Sequence, residues 1–123
     1  MKKILLLCLA SLLISLSCIN LFAPGMLFNA TQDATRAAAG LEVKQVQAGE
    51  YEYTYADNGK TDKPVLLMVH GFSAEKDNWA RMALFLKDDY RLIAIDLLGH
   101  GQSPRDINAD YKISSQVQRV KDF

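Results

Sequence analysis

The stretch VLLMVHGFSAEKDNW, Val65 to Trp79, constrains the fold more than any other part of the chain. An apolar run stops at His70 and Gly71, a polar loop follows, and a helical pattern opens near Trp79. That order is strand, tight glycine turn and helix, the start of a crossover unit in an open α/β sheet. Such a turn lies at the carboxyl end of its strand, where these sheets place their ligands and where backbone N–H groups can face an anion. The stretch locates chemistry without specifying it, because no histidine, hydroxyl or carboxylate within it forms a nucleophile motif.

The flanking sequence extends the unit. Val65 to Val69 is apolar at every position, which predicts a strand covered on both faces. Asp77 is expected to cap a helix whose Trp79, Met82, Ala83 and Leu86 share a face and whose end is marked by Lys87, Asp88 and Asp89. A second apolar strand, Leu92 to Ile95, runs into Asp96 and the sequence DLLGHGQSPR. Two buried strands around a helix predict a right-handed parallel crossover with both glycine turns on one edge of the sheet. Upstream, Leu41 to Gln47 and Tyr51 to Tyr55 alternate around Gly49 and Glu50, which predicts an antiparallel hairpin, and Asp57 to Asp62 forms a turn around Asn58 and Gly59. Downstream, Ser115 and Gln118 make a capping box for a last helix with Val117, Val120 and Phe123 on one face.

The amino end has a different composition. Lys2 and Lys3 precede an apolar and small-residue run from Ile4 to Ile19, the charged start and apolar middle of an export signal. More apolar sequence continues to Phe28, approaching the roughly 20 residues that span a bilayer. Residues 1–28 are therefore expected to be a signal or membrane-anchor segment, with three fates open: an uncleaved anchor, a lipoprotein processed at Cys18, or a cleaved signal peptide. The paired lysines place the body on the non-cytoplasmic side, in the periplasm or at the cell surface. Residues 29–40 read as a linker with one short helix capped by Thr31 and ended by Gly40, and residues 41–123 as a partial α/β domain.

Charge and cysteine content exclude several function classes. Lys and Arg total 14 against 14 Asp and Glu, so no net field steers the chain toward nucleic acid. Cys8 and Cys18 both lie in the leader, which leaves the body without a disulfide or thiolate metal site. His70, His100 and Asp96 would need a further strong ligand and supporting partners to hold a metal, so neither metal nor cofactor is expected.

Taken together, HGFSAEKDNW, DLLGHGQS and YKISSQVQRVKDF are similar to the amino-terminal third of an α/β-hydrolase. Within that superfamily, Leu41 to Phe123 resembles the membrane-anchored monoacylglycerol lipases and related bacterial lipases. The resemblance implies a serine hydrolase cleaving carboxylic esters, with acylglycerols as substrates and the membrane as a partner. It implies that the Phe72 backbone N–H is one donor of the oxyanion hole, with Gly71 permitting close approach. His70, Asp96, Gly99, His100 and Gly101 would brace the site, Ser73 and Ser103 would be loop hydroxyls, and Trp79 would be core. The nucleophile of this fold lies in a GxSxG elbow, followed by the acid and the histidine. No GxSxG occurs in the chain, which predicts that it carries half of an oxyanion hole and is inactive by itself, with an elbow encoded roughly 15 to 30 residues beyond Phe123. The alternatives are a dehalogenase or epoxide hydrolase, which often carries proline where this chain has Ser73, and a non-catalytic, membrane-tethered fragment.

Overall fold

The computed structural model describes residues 2–123. Met1 and the side chains of Ile19, Asn20, Phe22 and Pro24, all within the expected leader, lie outside the described residues. The chain divides between Ala34 and Thr35 into two compact units.

The first unit holds helix α1 (Lys2–Phe22) and the first turns of α2 (Pro24–Ala38). Two serines of α1 are compatible with an apolar helix because they bond back to its own carbonyls, Ser11 Oγ to Cys8 O and Ser15 Oγ to Ser11 O, both at 2.9 Å. The leader is thus helical, but among the described residues no helix is long and apolar enough to cross a membrane. Thr31 does not cap the linker helix. α2 starts at Pro24, a residue suited to a first helical turn, and Thr31 sits inside it with its hydroxyl on Leu27 O at 2.7 Å. Gly40 does end the helical segment, in the left-handed region at φ 70°.

The second unit is built on a mixed sheet. β1 (Glu42–Ala48) and β2 (Tyr51–Asp57) form the expected antiparallel hairpin, with Ala48 opposite Tyr51. Gly49, at φ 58°, takes the first central position of the two-residue turn, where a positive φ matches the twist of the strands. β3 (Val65–Val69) and β4 (Arg91–Ile95) run parallel, and β4 also pairs antiparallel with β2, so the order is β1-β2-β4-β3. Between β3 and β4 the chain makes a 3-10 turn, Lys76–Trp79, and helix α3 (Ala80–Leu86). One face of the sheet packs Ala56, Met68, Leu92 and Ala94 against Ala83 and Trp79, and the other packs Tyr53, Ile95 and Leu98 against Phe123, the residue that ends α4 (Ile113–Asp122).

Four expectations need correction. β3, the edge strand of the sheet, is not covered on both faces: Met68 is buried on one, while Val65 and Val69 on the other are 60% and 40% exposed. Asp77 is not the helix cap. Glu75 and Asn78 form a capping box around the 3-10 turn, and the Asp77 carboxylate accepts from Arg36 Nη1 at 2.7 Å. Met82 does not share the core face: Trp79, Ala83 and Leu86 pack against the core as expected, while Met82 is half exposed. Ser115 and Gln118 do not cap α4, since the helix begins at Ile113 and their side chains reach Asp110 and Asp122 instead.

Away from the site, Asp57 closes the sheet below β4. Arg91 grips it through both nitrogens, Nε to Oδ1 at 3.2 Å and Nη2 to Oδ2 at 2.7 Å, and Gly59 N–H adds a bond of 2.8 Å. The Arg91 hydrogen bonds hold the Asp57 carboxyl below its ordinary value, with burial opposing them.

Candidate active site

The carboxyl ends of β3 and β4 open on one edge of the sheet, as parallel pairing requires. From β3 the chain enters a turn closed by Ala74 N–H on Gly71 O at 3.3 Å. Ser73, at φ 59°, is the one non-glycine residue in the left-handed region among the described residues, and it occupies the turn position that type II turns reserve for such a conformation. Phe72 N–H has no hydrogen-bond partner among the described residues, and the Phe72 ring is 97% exposed. Gly71 has no positive φ, and a Cβ there would meet nothing within 4 Å, so the chain's own atoms do not require glycine at that position.

Phe72 stands at the rim of a cleft of about 680 Å³ between the end of β3 and helix α4. Val69, Leu97, Ile113, Val117 and Val120 give it an apolar wall. Gln116 lines it too, with Nε2 donating to Leu98 O at 3.1 Å and Oε1 buried without a partner among the described residues.

His70 is buried, and its tautomer follows from its neighbours. Leu97 N–H donates to Nε2 at 3.1 Å, which leaves the ring proton on Nδ1, and Nδ1 then donates to Gly71 O at 2.8 Å. With both nitrogens engaged, His70 has no lone pair left to take a substrate proton. His100 packs beside it, ring centroids 5.0 Å apart, with Nδ1 3.2 Å from Leu98 O.

Asp96 is fully buried, and its carboxylate gathers donors from both strand-end loops. Lys76 N–H reaches Oδ1 at 2.7 Å, while Lys76 Nζ and Gln102 N–H reach Oδ2 at 3.1 and 2.9 Å. None of its partners is a histidine, and among the described residues no group of His, Cys, Asp and Glu is arranged to hold a metal ion. The glycines after Asp96 answer to their neighbours: a Cβ on Gly101 would overlap the Asp96 carboxylate, and one on Gly99 would lie 2.7 Å from Tyr111 Cε1. Ser103 completes the loop, donating to Asp96 O at 2.7 Å and accepting from Thr54 N–H at 3.0 Å. Beyond it, Asp106 ties the following loop to the hairpin by accepting from Tyr51 Oη at 3.0 Å, and this bond, ahead of burial, raises the Tyr51 phenol above its ordinary pKa.

The structure therefore brings His70, Gly71, Phe72 and His100 to one cleft, with Gly99 behind its Tyr111 wall, and sets Asp96 and Gly101 beneath them. Sequence reasoning missed Lys76, which is 1% exposed. A lysine in a polar loop ordinarily reads as solvated, and its partner Asp96 lies 20 residues away.

The sequence profile of the alpha/beta hydrolase fold matches residues 64–123. A monoacylglycerol lipase of Xenopus laevis is 40% identical over 89 residues, covering 72% of this chain and 26% of the relative. Lipase 1 of Psychrobacter immobilis is 38% identical over 124 residues, 95% of this chain and 38% of that lipase. Among solved structures, a membrane phospholipase A described as a bacterial virulence factor superposes with a TM-score of 0.75 at 37% identity, covering 99% of this chain and 39% of its own. The chain thus spans between about a quarter and two fifths of the length of these relatives.

Proposed function

The chain belongs to the α/β-hydrolase superfamily, and from that premise we propose that it supplies one side of the active site of a carboxylic-ester hydrolase acting on acylglycerols. The observation that carries this reading is the unpartnered Phe72 N–H at the rim of an apolar cleft, at the end of a parallel strand. Attack on an ester carbonyl concentrates negative charge on its oxygen, and an N–H with no partner to give up can meet that charge without breaking a bond. The bare approach at Gly71 supports the same role, since nothing in the chain competes for that space. His70, Gly71, Asp96, Gly99, His100 and Gly101 hold this geometry and do not react. The serine nucleophile, its acid and its histidine are contributed by sequence other than these residues, which contain no GxSxG. The two lysines and the apolar run that follows them support export or association with a membrane, which would bring the body close to lipid esters.

A graft tests the reading. Residues 35–123 replace the matching segment of the Psychrobacter lipase, whose own sequence then supplies the rest of the fold. The graft is expected to hydrolyse monoacylglycerol and to react with a fluorophosphonate, while the present chain alone does neither. Phe72→Pro, which deletes the N–H, lowers kcat of the graft by about 10² to 10³ with little change in KM. Fluorophosphonate labelling of the chain alone, or an unchanged kcat in the proline variant, would sink the proposal.

A further inference from the structure

We infer that the buried Lys76–Asp96 pair is a positioning device that fixes the direction of the Phe72 N–H, an inference that rests on the oxyanion role proposed above. Phe72 lies on a short arch, residues 71–75, between two anchored feet. At one foot, His70 Nε2 accepts from Leu97 N–H. At the other, Lys76 donates both its backbone N–H and its ammonium to the Asp96 carboxylate. The two anchor points, Asp96 and Leu97, are consecutive residues at the end of β4, so the span of the arch is set by one rigid strand end.

Hydrophobic packing alone would not give this. Lys76 is 1% and Asp96 0% exposed, and a buried ion pair recovers little net stability after desolvation, often no more than well-packed apolar residues would provide. Its directional bonds do set geometry, however, because each carboxylate oxygen receives its own Lys76 donor, and Gln102 N–H holds the same group from the second loop. Gly101 keeps the space that lets the carboxylate sit there. Lys76 therefore acts on the oxyanion through the backbone and is a positioning residue, with no contact to substrate.

Amide hydrogen exchange on the full chain in detergent micelles tests this without requiring any activity. In Lys76→Met, exchange of the hydrogen-bonded amides of the two loops, Ala74 and Glu75 in the arch and Leu97 and Gln102 beyond β4, is expected to rise by about tenfold or more, the equivalent of losing one hydrogen bond to a charged group, while the β1–β2 hairpin is unchanged. Lys76→Arg, which restores a cation, brings the arch back toward wild-type protection. If Lys76→Met does not fold, Asp96→Asn, which keeps an acceptor for the Lys76 N–H, is read in the same way. Unchanged exchange at Ala74 and Glu75, or a rise spread evenly over the whole unit, overturns the inference. Failure of the graft to hydrolyse esters would instead count against the proposed function and leave the exchange result standing.

Discussion

Gly101→Ala separates backbone strain from the loss of the buried carboxylate hub, with Gly40→Ala as its control. Both glycines lie in the left-handed region, Gly101 at φ 51° and Gly40 at φ 70°. Placing alanine in that conformation costs about 1–2 kcal/mol at either site. The surroundings differ: a Cβ at Gly40 meets nothing within 4 Å, whereas one at Gly101 overlaps the Asp96 carboxylate. Backbone and buried charge hem that carboxylate in, so it must move and weaken its bonds to Lys76 or Gln102, at a further cost of about 1.5–3 kcal/mol for a hydrogen bond to a charged group. Gly101→Ala should therefore lose about 3–5 kcal/mol and Gly40→Ala about 1–2 kcal/mol. Trp79, the only tryptophan, packs against the core and reports unfolding by fluorescence. In a urea titration in mild detergent, the excess of about 1.5–3 kcal/mol should bring the midpoint of the Gly101 variant about 0.5–3 M below that of the Gly40 variant. Equal midpoints would refute the reasoning, because they would mean that the carboxylate yields freely.

Three further outcomes follow from contacts described above. Because the folded Asp57 carboxyl is held below its ordinary value, the stability it contributes is complete above about pH 4 and is lost as pH falls through the folded value, so Arg91→Met should flatten the fall in urea midpoint below about pH 4; an unchanged slope contradicts this. Ser103→Ala strands the Thr54 N–H in a buried position and should cost about 1–3 kcal/mol by the same fluorescence assay, against less than 0.5 kcal/mol (about the usual surface effect) for Ser114→Ala on exposed α4. Val65→Lys with Leu67→Lys places charge on the uncovered face of the edge strand and should raise the soluble fraction of residues 35–123 on gel filtration; an unchanged soluble fraction would mean that this face does not limit solubility.

What the sequence revealed was what local pattern determines. The hairpin follows from period-two alternation around Gly49, and β3 and β4 from apolar runs bounded by turns, so each appears within a residue or two of its place. The exposure of Val65 and Val69 was not legible, because an all-apolar run does not say which of its two faces other elements cover. Met82 was misplaced because helical spacing gives the direction of a face and not its width: Trp79, Ala83 and Leu86 reach the core, and Met82 lies at the margin. At the site, the motif identified the loop and the backbone position of Phe72. Lys76 stayed hidden because its burial depends on a carboxylate brought from the end of another strand.

The sheet order also bears on how the unit folds. β4 is inserted between β2 and β3, so the hairpin cannot extend by adding the next strand in sequence. Tyr55 must meet Ile95, and the segment between them must first double back so that β3 ends up outside. Closing such a loop costs chain entropy before any pairing returns it, and topologies rich in distant pairings fold slowly. The hairpin is therefore expected to form early and wait, with one edge bare, for the βαβ unit to assemble. It is in that interval that a chaperone or the membrane surface would matter most to the yield of native chain.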